Sequence, residues 1–220
     1  MNRLIVAFII CLLLSSCVKE ACRISLYEFV LPVIISPVRD TFHIGDTITV
    51  ISEFDEMVWD KTTQSEYLLQ DFLFYPATSM IKIDTNPGSR DAFGDFEVIT
   101  EDSFNYEATN FSDGSIFIGG QYTYDKEQGN YLLQYKIVPK RVGLYLLSQA
   151  AWLGTQGEHQ SFPGKCKNIP SDVWMNVNSG SDNNIEFLQN SPDPHYNTWV
   201  LEKPEERFHR GGGYCFYVVE

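Results

Sequence analysis

Few side chains in this chain of 220 residues have the type and spacing to do chemistry. The histidines His43, His159, His195 and His209 are scattered, with no pair at helical metal-ligand spacing. The acids Asp55-Glu56, Asp60, Glu101-Asp102 and Asp125 could supply paired carboxylates for glycoside hydrolysis, but no fold-specific motif frames them. Asp182-Asn183-Asn184 offers oxygen ligands without the EF-hand pattern. Gly211-Gly212-Gly213 would cradle an anion only if a helix followed, and an apolar strand-like run follows instead. G-x-S-x-G, P-loop, G-x-G-x-x-G and H-E-x-x-H patterns are all missing from the sequence. These readings name no catalytic residue, no metal and no cofactor.

Aromatic residues are the remaining lead. Trp152, Phe162, Trp174, Tyr196, Trp199 and Phe208 gather in the last third of the chain. Exposed, they would stack sugar rings or grip a partner; buried, they would pin a segment poor in aliphatics onto the rest. Trp152, Trp174 and Trp199 are the candidate binding aromatics.

Charge narrows the partners. With 16 Lys+Arg against 29 Asp+Glu the net charge is −13, which disfavours wrapping nucleic acid through its phosphates. At 44% hydrophobic residues the chain is too apolar to be disordered.

The N-terminus reads as an address. Met1-Asn2-Arg3 is a basic head, residues 4–14 are an apolar run too short for a membrane span, and Ser15-Ser16 precede Cys17. That is the layout of a secretory signal. Leu14-Ser15-Ser16-Cys17 further resembles a bacterial lipobox. The resemblance implies cleavage before Cys17, diacylglycerol on its sulfur and acylation of the new amino terminus. Residues 1–16 would then be a removed signal, 17–23 a lipid-anchored tether and 24–220 a single domain. Only Arg3 is lost from the charged residues, so the mature charge is −14. Two or more acyl chains anchor stably, at about 0.8 kcal/mol per buried CH₂.

Export permits disulfides. Cys11 is removed with the signal, which leaves Cys22, Cys166 and Cys215 for one bridge in three ways, or for three free thiols. Cys166–Cys215 is the pairing favoured here, because Cys22 lies in an apparent leader and Cys215 in an apolar final strand.

The elements that must position these groups read as strands. Residues 47–54 alternate with period two, placing Ile48, Val50 and Phe54 on one face. Runs at 69–75, 80–83, 96–100, 115–124, 131–138 and 144–151 follow, separated by turn signals such as Asn86-Pro87-Gly88 and Gly129-Asn130. Residues 121–138 read as a hairpin around a polar loop. The predicted fold is all-β, an antiparallel sandwich with a long, partly irregular insertion over about 152–212. A short helix is expected at 182–189, and a last strand follows the insertion.

Phe42-His43-Ile44-Gly45-Asp46-Thr47-Ile48-Thr49-Val50, with Val142-Gly143-Leu144-Tyr145 and the closing Tyr214-Cys215-Phe216-Tyr217-Val218-Val219, resembles bacterial Ig-like modules. The whole chain resembles uncharacterised Bacteroidota-type lipoproteins with one Ig-like domain. That resemblance implies an Ig-like sandwich held at the membrane by its N-terminal lipid, in the cell envelope and at the outer membrane. Asp46-Thr47-Ile48 fits the short O-glycosylation motif of such organisms, with Thr47 as acceptor. The role expected is non-catalytic binding of a glycan, a peptide or a partner envelope protein. A structural accessory subunit of an envelope complex is the alternative, with a hydrolase behind both.

Overall fold

A computed structural model describes residues 22–89, 92–100, 106–110, 116–154, 160–181 and 183–220. Chain order begins with β1 (Tyr27–Ser36), β2 (Thr41–His43), β3 (Ile48–Asp55), β4 (Met57–Asp60), β5 (Ser65–Leu68), β6 (Tyr75–Lys82) and β7 (Phe96–Thr100). It continues with β8 (Tyr106–Asn110), β9 (Ile116–Gly120), β10 (Thr123–Asp125), β11 (Asn130–Pro139), β12 (Gly143–Trp152), β13 (Ser171–Val177) and β14 (Gly213–Val219).

Two largely antiparallel sheets face each other. In the larger one β3 lies between β1 and β11, and β7 and β10 share the outer side of β11. The smaller runs β2-β14-β12-β6-β9-β8. Taking β1, β3, β11 and β7 as strands A, B, E and D, and β6, β12 and β14 as C, F and G, gives the two sheets of an immunoglobulin sandwich. Tyr145, early in β12, adds the corner expected at the start of strand F: its hydroxyl donates back to Arg141 O at 3.2 Å. The expected all-β, Ig-like sandwich is therefore what the chain forms, with its insertion between β12 and β14.

Alternation explains most of the pairing. In β1, Tyr27, Phe29, Leu31, Val33 and Ile35 point inward and are essentially fully buried. Ile48, Val50 and Ser52 do the same in β3, and Tyr131, Leu133, Tyr135 and Ile137 in β11. The β10–β11 hairpin forms with Tyr124 opposite Tyr131.

The run expected at 69–75 is mostly a loop, and β6 instead starts at Tyr75 and runs to Lys82, one residue short of the expected 80–83. Small and polar residues hid the middle of β6, because Thr78 is buried for its hydroxyl. Its Oγ1 donates to Gln149 Oε1 at 2.6 Å and lies 2.6 Å from the hydroxyls of both Tyr106 and Tyr135. Likewise 115–124 is two strands, broken at Gln121-Tyr122.

Burial of this network pushes the Tyr106 hydroxyl up to about 12 and pushes Tyr135 upward, and burial does the same to Tyr122, whose hydroxyl pairs with Ser52. These groups hold their protons in the folded state after an unfolded tyrosine would ionise near 10. Their contribution to stability is thus complete below pH 10 and is lost as pH rises through the folded values. The unfolding free energy should fall above about pH 10, by up to about 1.4 kcal/mol per pH unit for each such tyrosine. Urea denaturation at stepped pH checks this, and a flat profile to pH 11 would contradict it.

The insertion is more ordered than its composition suggests. β13 adds to β1 in parallel, with Tyr27 opposite Ser171 and Val30 opposite Trp174. The short helix expected at 182–189 is a 3₁₀ segment, Ile185–Asn190, with Asp182 outside the described residues. Two π-type segments follow, His195–Val200 and Glu205–His209, opened by Pro194 and Pro204 with helical φ of −57° and −60°. Leu188, Tyr196, Val200 and Phe208 form a second core against Ile83, Leu144, Leu146 and Cys215 on the outer face of the smaller sheet.

The favoured Cys166–Cys215 bridge is not formed. Cys166 is bonded to Cys22, with Cα atoms 6.1 Å apart, and Cys215 is a buried free thiol. The reason is spatial. Cys215 sits in the second core, whereas Cys166 packs against the main core, where its N–H donates to Tyr27 Oη at 2.8 Å. Cys22 belongs to the segment that feeds β1 beside it.

Candidate functional site

None of the four tryptophans belongs to either core, which is built largely from Tyr, Phe and aliphatic residues. Phe162, Tyr196 and Phe208 are buried and do the pinning that an apolar-poor insertion requires. Trp152 and Trp199 are 41% and 46% exposed, and Trp174 is half-buried. The largest apolar side chains thus stand where a ligand can meet them.

The insertion covers only part of the smaller sheet's outer face. Beside it lies a groove of about 300 Å³, with Ile81, Ile116, Phe117 and Leu146 as floor and Trp199 and Arg207 as wall. Trp199 is exposed yet held. Its ring stacks on His195 with centroids 4.7 Å apart, one helical turn away, and the Arg207 guanidinium lies 3.9 Å from the ring centroid. Arg207 also donates to the Trp199 carbonyl and pairs with Glu202 at 3.3 Å. A side chain fixed this way loses little entropy when it binds.

Phe117 continues the floor into a neighbouring hollow of about 450 Å³, where it meets Trp152 edge-on at 5.6 Å. The structure therefore brings Trp152 and Trp199 to one face. It separates them from Trp174, which lies on the outer face of the larger sheet with the Lys61 ammonium 3.3 Å from its ring centroid. Sequence reasoning missed Phe117, and it missed Trp59, 44% exposed on β4. The alternation in Met57-Val58-Trp59-Asp60, with Val58 and Asp60 buried, is the signal that places Trp59 outward.

Three of the acids considered for catalysis are engaged in hydrogen bonds that hold the fold: Glu56 accepts from Gln70 Nε2 and the Tyr124 hydroxyl, and Asp60 and Asp125 accept from backbone N–H groups. Asp60 Oδ1 accepts from Glu28 N at 2.6 Å, and its Oδ2 accepts from Thr63 N at 2.7 Å. Asp125 Oδ1 accepts from Glu127 N and Gln128 N. Glu101, Asp102 and His159 lie outside the described residues, as does Cys17. Among the described residues no group of three or more His, Cys, Asp or Glu is placed to hold a metal ion. Nor is any helix among them long and apolar enough to cross a membrane. Thr47 is exposed just ahead of β3.

No protein-family model and no curated protein sequence matches the chain. Among solved structures, the human F-spondin reeler domain is 11% identical, covering 70% of this chain and 96% of that one, with a TM-score of 0.32. A type II cohesin domain from the cellulosome of Acetivibrio cellulolyticus is 12% identical over 56% of this chain and 74% of its own, with a TM-score of 0.27. The collagen-binding domain of a Staphylococcus aureus adhesin is 9% identical over 90% and 99%, with a TM-score of 0.23.

Proposed function

We propose that this protein is an exported, lipid-anchored envelope module that binds a partner protein without catalysing a reaction. An apolar segment of the partner would lie in the groove beside Trp199. The observation that carries this reading is a preorganised, half-exposed tryptophan at the lip of an apolar groove. Two polar side chains at the groove, Ser148 and Arg207, are already engaged. Ser148 Oγ donates to Gly211 O at 2.7 Å, and Arg207 is held by the Trp199 carbonyl and Glu202. What remains on offer is chiefly apolar surface, which suits a peptide better than a sugar. The lipid anchor rests on the N-terminal sequence through Cys17, and an outer-membrane position follows from the same resemblance.

Crosslinking in whole membranes, followed by purification of the full chain, tests both halves. Trp199→Ala should reduce partner capture at least about tenfold, because anchor aromatics in grooves dominate interfaces. Trp59→Ala, on the other sheet, should leave capture unchanged. Capture that ignores Trp199→Ala would overturn the groove reading. Palmitate labelling that survives Cys17→Ala would overturn the anchor.

A further inference from the structure

The outer face of the larger sheet carries a second cavity, of about 430 Å³, that the groove does not touch. Its floor is one cross-strand row. Phe29 pairs with Asp60 and Val30 with Trp174, so the antiparallel register sets Trp59 beside Val30 on one side and Trp174 on the other. Two strand spacings put the indoles roughly 10 Å apart across that row. The insertion supplies the walls, with Glu205 and His209 from one segment and Asn183 from the loop after β13.

The chemistry of this cavity differs from that of the groove. Lys61 and His209 can donate, and Glu205 can accept. Asn176 lines the wall and can do both. Asn183 is 5% exposed; its Nδ2 donates to Val177 O at 3.3 Å, which fixes the orientation of the amide. Its Oδ1 is buried with no hydrogen-bond partner, an acceptor that costs stability until a donor arrives.

We propose that this cavity is a saccharide-binding site for a neutral oligosaccharide, which lays a sugar face on Trp59, packs against Trp174 beside the Lys61 ammonium and directs hydroxyls at Lys61, Glu205, Asn176 and Asn183. Hydroxyls both donate and accept, which is what a rim of mixed donors and acceptors can satisfy. The Glu205 carboxylate and the acidity of the chain argue against an anionic ligand. The Lys61 ammonium already occupying the Trp174 face argues against a cationic one. Val30 at the centre of the row keeps the floor apolar between the two rings.

The test is tryptophan fluorescence of the full chain, extracted in detergent and titrated with tetra- to hexasaccharides. The panel holds neutral gluco-, manno-, xylo- and N-acetylglucosamine oligomers, with oligouronates as the acidic arm. At least one neutral series should bind saturably. Trp59→Ala should weaken that binding about tenfold or more, consistent with loss of one stacking face. Glu205→Gln should weaken it several-fold with the melting temperature unchanged. Trp199→Ala should leave it intact, so failure here and failure of the groove reading are separable. The proposal is overturned if no neutral series binds at millimolar concentrations or only oligouronates bind. It is also overturned if affinity survives the folded Trp59→Ala chain.

Discussion

Replacing Cys22 or Cys166 by Ser is expected to lower the unfolding free energy by about 3–5 kcal/mol. The two residues are 144 positions apart, and closing a loop of that length removes chain entropy worth roughly 5 kcal/mol from the unfolded state. Domains of ordinary stability hold only about 5–15 kcal/mol in total, so the bond is a large share. It also holds the segment before β1 against the loop before β13, the two strands that pair in parallel. Chemical denaturation with and without reductant measures the effect. Non-reducing peptide mapping should recover Cys22 joined to Cys166. Cys215, fully buried, should react with iodoacetamide only after unfolding, since burial pushes its thiol well up and shields it. A Cys166–Cys215 peptide, or a chain indifferent to reductant, would contradict this account.

Gly212→Ala should cost more than about 3 kcal/mol, the second large effect. Gly212 has φ +60°, a conformation that L side chains seldom adopt. An added Cβ would also collide with the backbone oxygen of Gln149. That backbone cannot retreat, because Gln149 N donates to Gly212 O at 3.0 Å and the Gln149 side chain belongs to the buried tyrosine network. Strain and overlap therefore add at one point, the return of the insertion into β14. Gly213 is constrained differently: a Cβ there would lie 2.6 Å from the Phe208 ring. Gly211 is the control, since its added Cβ would meet only ordinary contacts, and Gly211→Ala should stay within about 0.5 kcal/mol. Denaturation midpoints of the two alanine variants should differ clearly; equal values would refute the argument.

Particular residues show how much was legible beforehand. β3, β7, β11, β12 and β14 were readable because most of their inward positions are Ile, Val, Leu, Tyr and Phe at period two, with Ser52 and Gln149 as buried polar exceptions. β13 was not: its buried face, Ser171, Val173, Met175 and Val177, is short and opens on a polar residue, its outward face carries Asp172 and Asn176, and what stabilises it is parallel pairing to a strand far away in sequence. The middle of β6 was hidden by Thr78, a polar residue buried for a network that no local pattern announces. The glycine run that leads into β14 was visible but its purpose was not; the structure supplies it in two close approaches, at Gly212 and Gly213. Of the site, the tryptophans of the insertion were visible as types. Their division between two faces depends on topology, and so does the partnership of Trp174 with Trp59 from a different hairpin. The disulfide was misread for a general reason. Spacing alone does not fix connectivity, and Cys22 looked like leader until β1 was known to begin at Tyr27.

The Cys22–Cys166 bond also sets a reach. If Cys17 carries the lipid, only residues 18–21 separate the membrane attachment from a point locked to the folded body. Even fully extended, that link spans at most about 18 Å. A sandwich on so short a leash does not sweep the space beyond the membrane for ligands. It would stay close to the leaflet, and whatever it bound would have to be brought to the membrane surface or already reside there. Reduction would leave the lipid in place but free the leader from Cys166, so height above the membrane would become a redox-dependent quantity.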